Sequence, residues 1–261
     1  MKCIKSEKSL IRGAVGLSLG TFPDVNTSAI CKEIELLAWG SIKSLKKRLS
    51  SPSVLLAFAH RFLFDEVRFS GNCIAVGPTY FFLPTVLESK RGASCILCLI
   101  YKAVLEELGF KVSGLVTPGR MIVSVENDDD DKVILIDPFD MGREVTVKDI
   151  EQRVSMELRR DFELSKDVLN VNNAEWLFLI AQHLIMTYSL SHDWDNMCVM
   201  MELQMLLMPN EPQLARNLSN ILLQSGREEA GRAWRQAYIS MNPNGVVLSP
   251  QLLKIMYGVI V

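Results

Sequence analysis

No stretch of this 261-residue sequence stays apolar for the roughly 20 residues that a membrane-spanning helix needs. The most apolar segments are Ile96–Leu105, Trp176–Leu190 and Met197–Met208. They are broken by Lys102, by Gln182 and His183, and by Glu202 and Gln204, so the slightly positive mean hydropathy of +0.18 does not imply a membrane partner. An excess of charge of one sign is also missing. Lys plus Arg number 28 and Asp plus Glu 30, a net charge of -2, which excludes the basic footprint of a nucleic-acid binder. There is no glycine-rich loop of the kind that cradles phosphates, and no cofactor is expected. Histidine is scarce, at His60, His183 and His192. The six cysteines (Cys3, Cys31, Cys73, Cys95, Cys98, Cys198) are scattered through a chain too long to need disulfide staples. Reduced, buried thiols in a cytoplasmic protein are the expectation. Lys2, Lys5, Lys8 and Arg12 precede a Gly- and Ser-containing run of only about eight residues with no small-residue cleavage site, so this segment is read as part of the mature protein.

What is present is the composition of a folded chain, 49% hydrophobic and 22% charged. Most of residues 8–68 reads as helix, with an N-cap at Asn26-Thr27-Ser28 and Pro52 near the start of a later helix. Phe69-Ser70-Gly71-Asn72 reads as a turn, and Phe81–Glu88 as a short helix. Ser94 is the expected N-cap of an apolar helix, Cys95–Leu108, closed by Gly109. Lys111–Leu115, Met121–Val125 and Val133–Ile136 have the β-branched content of strands. The four Asp at 128–131 lack the spacing and the glycine of a calcium loop and read as a solvated hairpin tip. From about residue 147 the chain returns to helix. Met208-Pro209-Asn210 and Asn242-Pro243-Asn244 repeat at 34 residues, the tetratricopeptide period. Ala230, Trp234 and Ala237 are expected to form the packing face of the second unit, and Trp176, Trp194 and Trp234 to be core. Met197, Met200, Met201, Met205 and Met208 suit either an adaptable apolar surface or buried core.

Between residues 62 and 142 the blocks Phe62-Leu63-Phe64-Asp65-Glu66, Phe82-Leu83-Pro84-Thr85, Lys90-Arg91-Gly92, Leu108-Gly109, Pro118-Gly119 and Ile136-Asp137-Pro138-Phe139 follow one another in an order that resembles the bacterial SirB family. These are transglutaminase-like proteins with tetratricopeptide repeats, often labelled regulators of SirC expression. The resemblance implies an α+β, papain-like core within residues 1–150 and a helical tetratricopeptide-like module over 151–261.

A transglutaminase-like site needs a Cys at a helix N-terminus, a His base on a following strand, and an Asp or Asn to orient that His. The resemblance places the nucleophile position at Ser94, with Cys95 one residue later, and the base position after Pro118-Gly119, at Arg120. Only Asp137 matches the pattern. An arginine side chain cannot accept a proton, so Arg120 is no base; two readings stay open for it, an ion pair with Asp137 where an enzyme would hold His against Asp, or an exposed arginine on a loop. The three histidines are expected in or beside helices outside the core, with none replacing the base. Cys95 and Cys98 read as buried core thiols on one helical face. The expected function is a non-catalytic interaction or regulatory protein, a pseudoenzyme, that binds a protein or peptide through its helical module. The alternative is a cysteine hydrolase or acyltransferase that uses Cys95.

Overall fold

The helix at the centre of the fold, α5 (Ser94–Glu107), is apolar all round, and ten of its 14 residues are buried. In this computed structural model, which describes residues 4–43, 51–71, 77–127, 132–163 and 169–242, everything else is arranged about that helix. Before it come α1 (Ile4–Ser18), α2 (Thr27–Ile42), α3 (Pro52–Arg61) and α4 (Leu83–Ser89). Asn26 caps α2 by accepting from the backbone N–H groups of Ser28 and Ala29, and Pro52 opens α3, as the sequence suggests. A single π turn, Phe62–Glu66, ends α3. Two short parallel strands, β1 (Ser70–Gly71) and β2 (Arg91–Gly92), pair beside the start of α5.

After Gly109, whose φ of +93° suits the end of a helix, come β3 (Lys111–Thr117), β4 (Arg120–Asn127) and β5 (Lys132–Asp137). They form an antiparallel meander whose β4–β5 pairing runs up to Asn127 opposite Lys132. The four-Asp tip lies outside the described residues. A two-residue strand, β6 (Arg143–Glu144), extends one edge. The other edge is β7 (Leu169–Val171), which pairs with β3, giving the order β6-β5-β4-β3-β7. Alternation along β4 assigns the two faces. Met121, Val123 and Val125 enter the main core on the α5 side, while Ile122 joins Val145, Ile150, Val154 and Phe162 under α6 (Val147–Leu158). The sheet is thus sandwiched between α5 and α6, and the α+β class expected from the sequence is the one seen.

The expected boundary at residues 150 and 151 falls inside α6, and the chain rejoins the sheet at β7. It then enters α7 (Asn173–Leu190) through a capping box made by Asn172 and Glu175. Trp176, fully buried, packs against Gly114 of β3, where an added Cβ would stand 2.3 Å from the ring atom Cζ3. Three further helices follow: α8 (Trp194–Leu207), α9 (Pro212–Gln224) and α10 (Glu228–Met241). Helices α8 and α10 are both 14 residues long, starting 34 apart (194 and 228) and ending 34 apart (207 and 241). Helices α7 and α9 also end 34 apart, at 190 and 224. Two helix hairpins therefore repeat at the interval seen in the sequence, although Pro243 and Asn244 lie outside the described residues.

Of the three residues expected on the packing face of α10, Trp234 and Ala237 lie there and Ala230 does not. Ala230 is exposed, while Trp234 and Ala237 are half-buried. Gly231 is the buried position, its carbonyl accepting from the Ser219 hydroxyl at 2.8 Å. The two helices approach so closely here that a Cβ on Gly231 would lie 2.7 Å from Leu223 Cγ, which is why glycine occupies the contact. Met197, Met200, Met201 and Met205 are buried, the core use of the methionine stretch. Trp194 and Trp234 pack partly buried against the same core.

Candidate functional site

The N-terminus of α5 forms one wall of the site. Ser94 is not the N-cap that the sequence suggests. Ala93 is, without a side-chain cap, and the Ser94 hydroxyl instead accepts from the backbone N–H of Met121 at 3.2 Å, tying the helix start to β4. Cys95 points inward and is 3% exposed. Its carbonyl accepts from the Trp176 indole N–H at 2.9 Å, so α7 closes over the helix start. Burial pushes the Cys95 thiol up to about 12, against a smaller opposite pull from the backbone N–H groups of Cys95 and Ile96. At neutral pH the thiol is then held protonated. Cys98, one turn along and fully buried, donates to the Met121 carbonyl at 3.2 Å. Burial drives its thiol up as well, and the neighbouring Asp137 charge adds to the effect. Both cysteines are core residues, unpaired like Cys31 and Cys198.

The second wall is the β3–β4 turn and the end of β5. Gly119, with φ of +71°, completes a tight Pro-Gly turn that starts β4 at Arg120. The Arg120 guanidinium donates from Nη1 to Asp137 Oδ2 at 2.8 Å and lies 4.7 Å from the centre of the Phe139 ring. The other Asp137 oxygen, Oδ1, accepts from the backbone N–H groups of Phe139 and Asp140, capping the short turn Pro138–Asp140. Both carboxylate oxygens are therefore occupied, and the Asp137 side chain is only 4% exposed. Thr117 braces the turn by donating to the Arg120 carbonyl at 2.7 Å, and Arg153 of α6 donates to Thr117 Oγ1 at 2.9 Å. Of the two readings open for Arg120, the ion pair is the one formed.

Ser94, Cys95 and Arg120 meet at one cavity of about 50 Å³, which has room for a few water molecules. Asp137 reaches it only through Arg120. The same cavity is lined by His183 of α7, which the sequence reading places outside the core. His183 is stacked on Phe81, ring centres 5.1 Å apart and planes 15° apart. Burial pushes its pKa down to about 4, so the ring is neutral at pH 7. His60 also lies against buried residues, 5.0 Å from Phe64 and 6.5 Å from Tyr101 between ring centres. What brings His183 in is the face of α7 that carries Trp176, Leu179 and His183 at i, i+3 and i+7, a spacing readable in the sequence.

Ser94 and Cys95 at a helix start, the strand turn at Arg120 opposite them, and Asp137 at the end of the next strand thus lie close together. A profile of the transglutaminase-like superfamily matches residues 29–178, from α2 into α7. Two curated proteins are similar over a longer span. Both are called "UPF0162 protein", from Xylella fastidiosa strain 9a5c and strain Temecula1 / ATCC 700964. Each is 24% identical over 208 residues, covering 78% of this chain and 73% of the relative. No solved structure matches. The profile covers more than half of the sequence and takes in both walls of the site: this chain belongs to the transglutaminase-like superfamily.

Proposed function

We propose that this protein is a non-catalytic interaction or regulatory protein, a pseudoenzyme of the SirB type built on a degenerate transglutaminase-like fold. The observation that carries the reading is the Arg120–Asp137 pair, 2.8 Å apart, at the position where a catalytic pair would hold a base. A guanidinium takes no proton from a nucleophile, and both Asp137 oxygens are already bonded. The thiol of Cys95, buried and pushed up to about 12, points the same way. The cytoplasm is the proposed compartment, for which the unpaired cysteines speak.

The proposed partner is a peptide segment of another protein, held on the helical module. The hairpins repeating at 34 residues support a tetratricopeptide-like reading. Between α7, α8 and α9 lies a groove of about 360 Å³ with five carboxamides and no charged residue among its lining. Asn217 and Asn220 stand toward its open side, and Met197 and Met201 supply apolar ground. Gln204 and Gln182 are buried and bonded to each other at 3.0 Å, whereas Asn217 and Asn220 are placed to donate to and accept from a peptide backbone.

The alternative, acyl transfer by Cys95, has one observation in its favour: a neutral imidazole, His183, lines the same cavity as the thiol. The rate of alkylation at Cys95, read by mass spectrometry of its peptide between pH 6 and 10, separates the two. Negligible modification in the native protein below pH 9, with full modification after unfolding, is expected. Rapid labelling at pH 7 that is lost in His183→Gln would overturn the non-catalytic reading.

A further inference from the structure

Arg120 also lines a second and larger hollow, of about 560 Å³. Two more guanidiniums face it, Arg68 from the loop after the π turn and Arg91 from β2. Three like charges around one groove repel unless something compensates them. Arg120 has Asp137. Among the described residues neither Arg68 nor Arg91 makes an ion pair with a carboxylate. Two carboxylates also face the groove. Asp140 is engaged by Arg143 at 3.2 Å, which leaves Asp65 alone opposite two uncompensated guanidiniums.

Two of the three arginines are also held in place. Arg91 Nη1 donates to the hydroxyl of Ser70, which is buried. Arg120 is fixed by its carboxylate on one edge and by the Phe139 ring beneath it. The surrounding backbone is costly: a π turn carries Phe64 and Asp65, Arg68 has φ of +68° and Met141 φ of +48°. Phe64, Phe139 and Met141 line the rest of the hollow with apolar surface. A planar guanidinium suits a ligand that presents two oxygens at once.

We propose that this groove binds an oxyanion, the carboxylate or phosphoryl group of a ligand whose apolar body rests on Phe139 and Met141. Arg68 and Arg91 neutralise the anion, and the N–H groups of Arg120 not used by Asp137 complete the site. The proposal stands apart from the non-catalytic reading, because it depends on Arg68 and Arg91 rather than on Cys95.

The test is calorimetric titration of the full-length protein with inorganic phosphate and, separately, with glutarate, at constant ionic strength. Saturable binding of at least one, weakened about tenfold or more by Arg68→Gln and by Arg91→Gln, is expected. Binding of phosphate alone assigns the phosphoryl group, and of glutarate alone the carboxylate. Arg68 is exposed and makes no side-chain hydrogen bond or ion pair among the described residues, so Arg68→Gln is expected to keep its fold and to report even if Arg91→Gln does not. Absence of saturable binding for both anions, or binding unchanged in Arg68→Gln, overturns the proposal.

Discussion

Replacing Arg120 with Met keeps an apolar stem on Phe139 and removes the charge that faces Asp137. The carboxylate left behind is 4% exposed but still accepts two backbone N–H groups, while the arginine it loses was 23% exposed. Removing one partner of a fully buried pair costs about 3–5 kcal/mol, and of an exposed pair about 0–1. This pair lies between those limits and nearer the buried one, so Arg120→Met should cost about 2–3 kcal/mol. Asp137→Asn keeps the turn cap and loses the charge, for about 2 kcal/mol. The double variant should fall short of the sum by about 1.5–2 kcal/mol, because each single change strands the other partner. Urea unfolding followed by far-UV circular dichroism gives all four corners of this cycle. In thermal melts, Arg120→Met should lower Tm by about 5–10 °C for a chain of this size. A loss below about 0.5 kcal/mol for Arg120→Met, or strict additivity in the double variant, would show that the pair is a surface contact and refute the energetic argument.

His183 and the carboxamide groove supply two further predictions. Folding holds His183 neutral with a pKa of about 4, below its value in an unfolded chain, so the unfolded state binds more protons between those values. Its contribution is complete above about pH 6.5 and is lost as pH falls toward 4, by roughly 3 kcal/mol in all. Urea midpoints at pH 7.0 and 5.5 should therefore fall further apart in the wild type than in His183→Gln; equal slopes would contradict the assigned cause. In the helical module, Asn220→Arg should reduce capture of a bound partner by the full-length chain about tenfold, whereas Lys148→Gln on α6 should not. Equal losses from both changes would remove the groove from consideration. The full chain is required, since Trp176 of α7 anchors the core and cutting at residue 172 would strip it out.

Much of the fold was legible because its signals are local. Asn26, Pro52 and Gly109 mark helix ends by their own chemistry, and the strands of the meander declare themselves by β-branched content. Arg120 and Asp137 were legible as a pair only through the family resemblance, which puts them at the base and orienting positions; the β4–β5 pairing is what brings the start of one strand beside the end of the next. The misreadings arise where a distant segment competes for a local group. Ser94 has the chemistry of a cap, but the Met121 N–H claims its hydroxyl, leaving the cap to Ala93. In α10 Trp234 and Ala237 lie on the packing side as expected, but Ala230 does not, because the backbone approach at Gly231, one residue on, takes the contact. Strands of two or three residues, such as β1, β2 and β7, carry too few side chains to show a period.

The helix start at Cys95 shows two opposing effects whose balance depends on residues 81 positions away. Backbone N–H groups at a helix N-terminus favour a thiolate, and on that ground alone Cys95 would be reactive. Burial opposes this and wins, leaving the thiol at about 12. The burial comes in part from α7: Trp176 covers the Cys95 carbonyl, and Leu179 and His183 close the remaining space to about 50 Å³. On the non-catalytic reading, the helix that begins the C-terminal region is therefore as much a cause of the silence as the arginine in the base position. On the same reading, a histidine at Arg120 would put a base beside a buried, protonated thiol with little room for an acyl group. Arg120→His alone should then leave Cys95 as inert as before, and opening the site would require moving α7, which the core does not permit without losing Trp176.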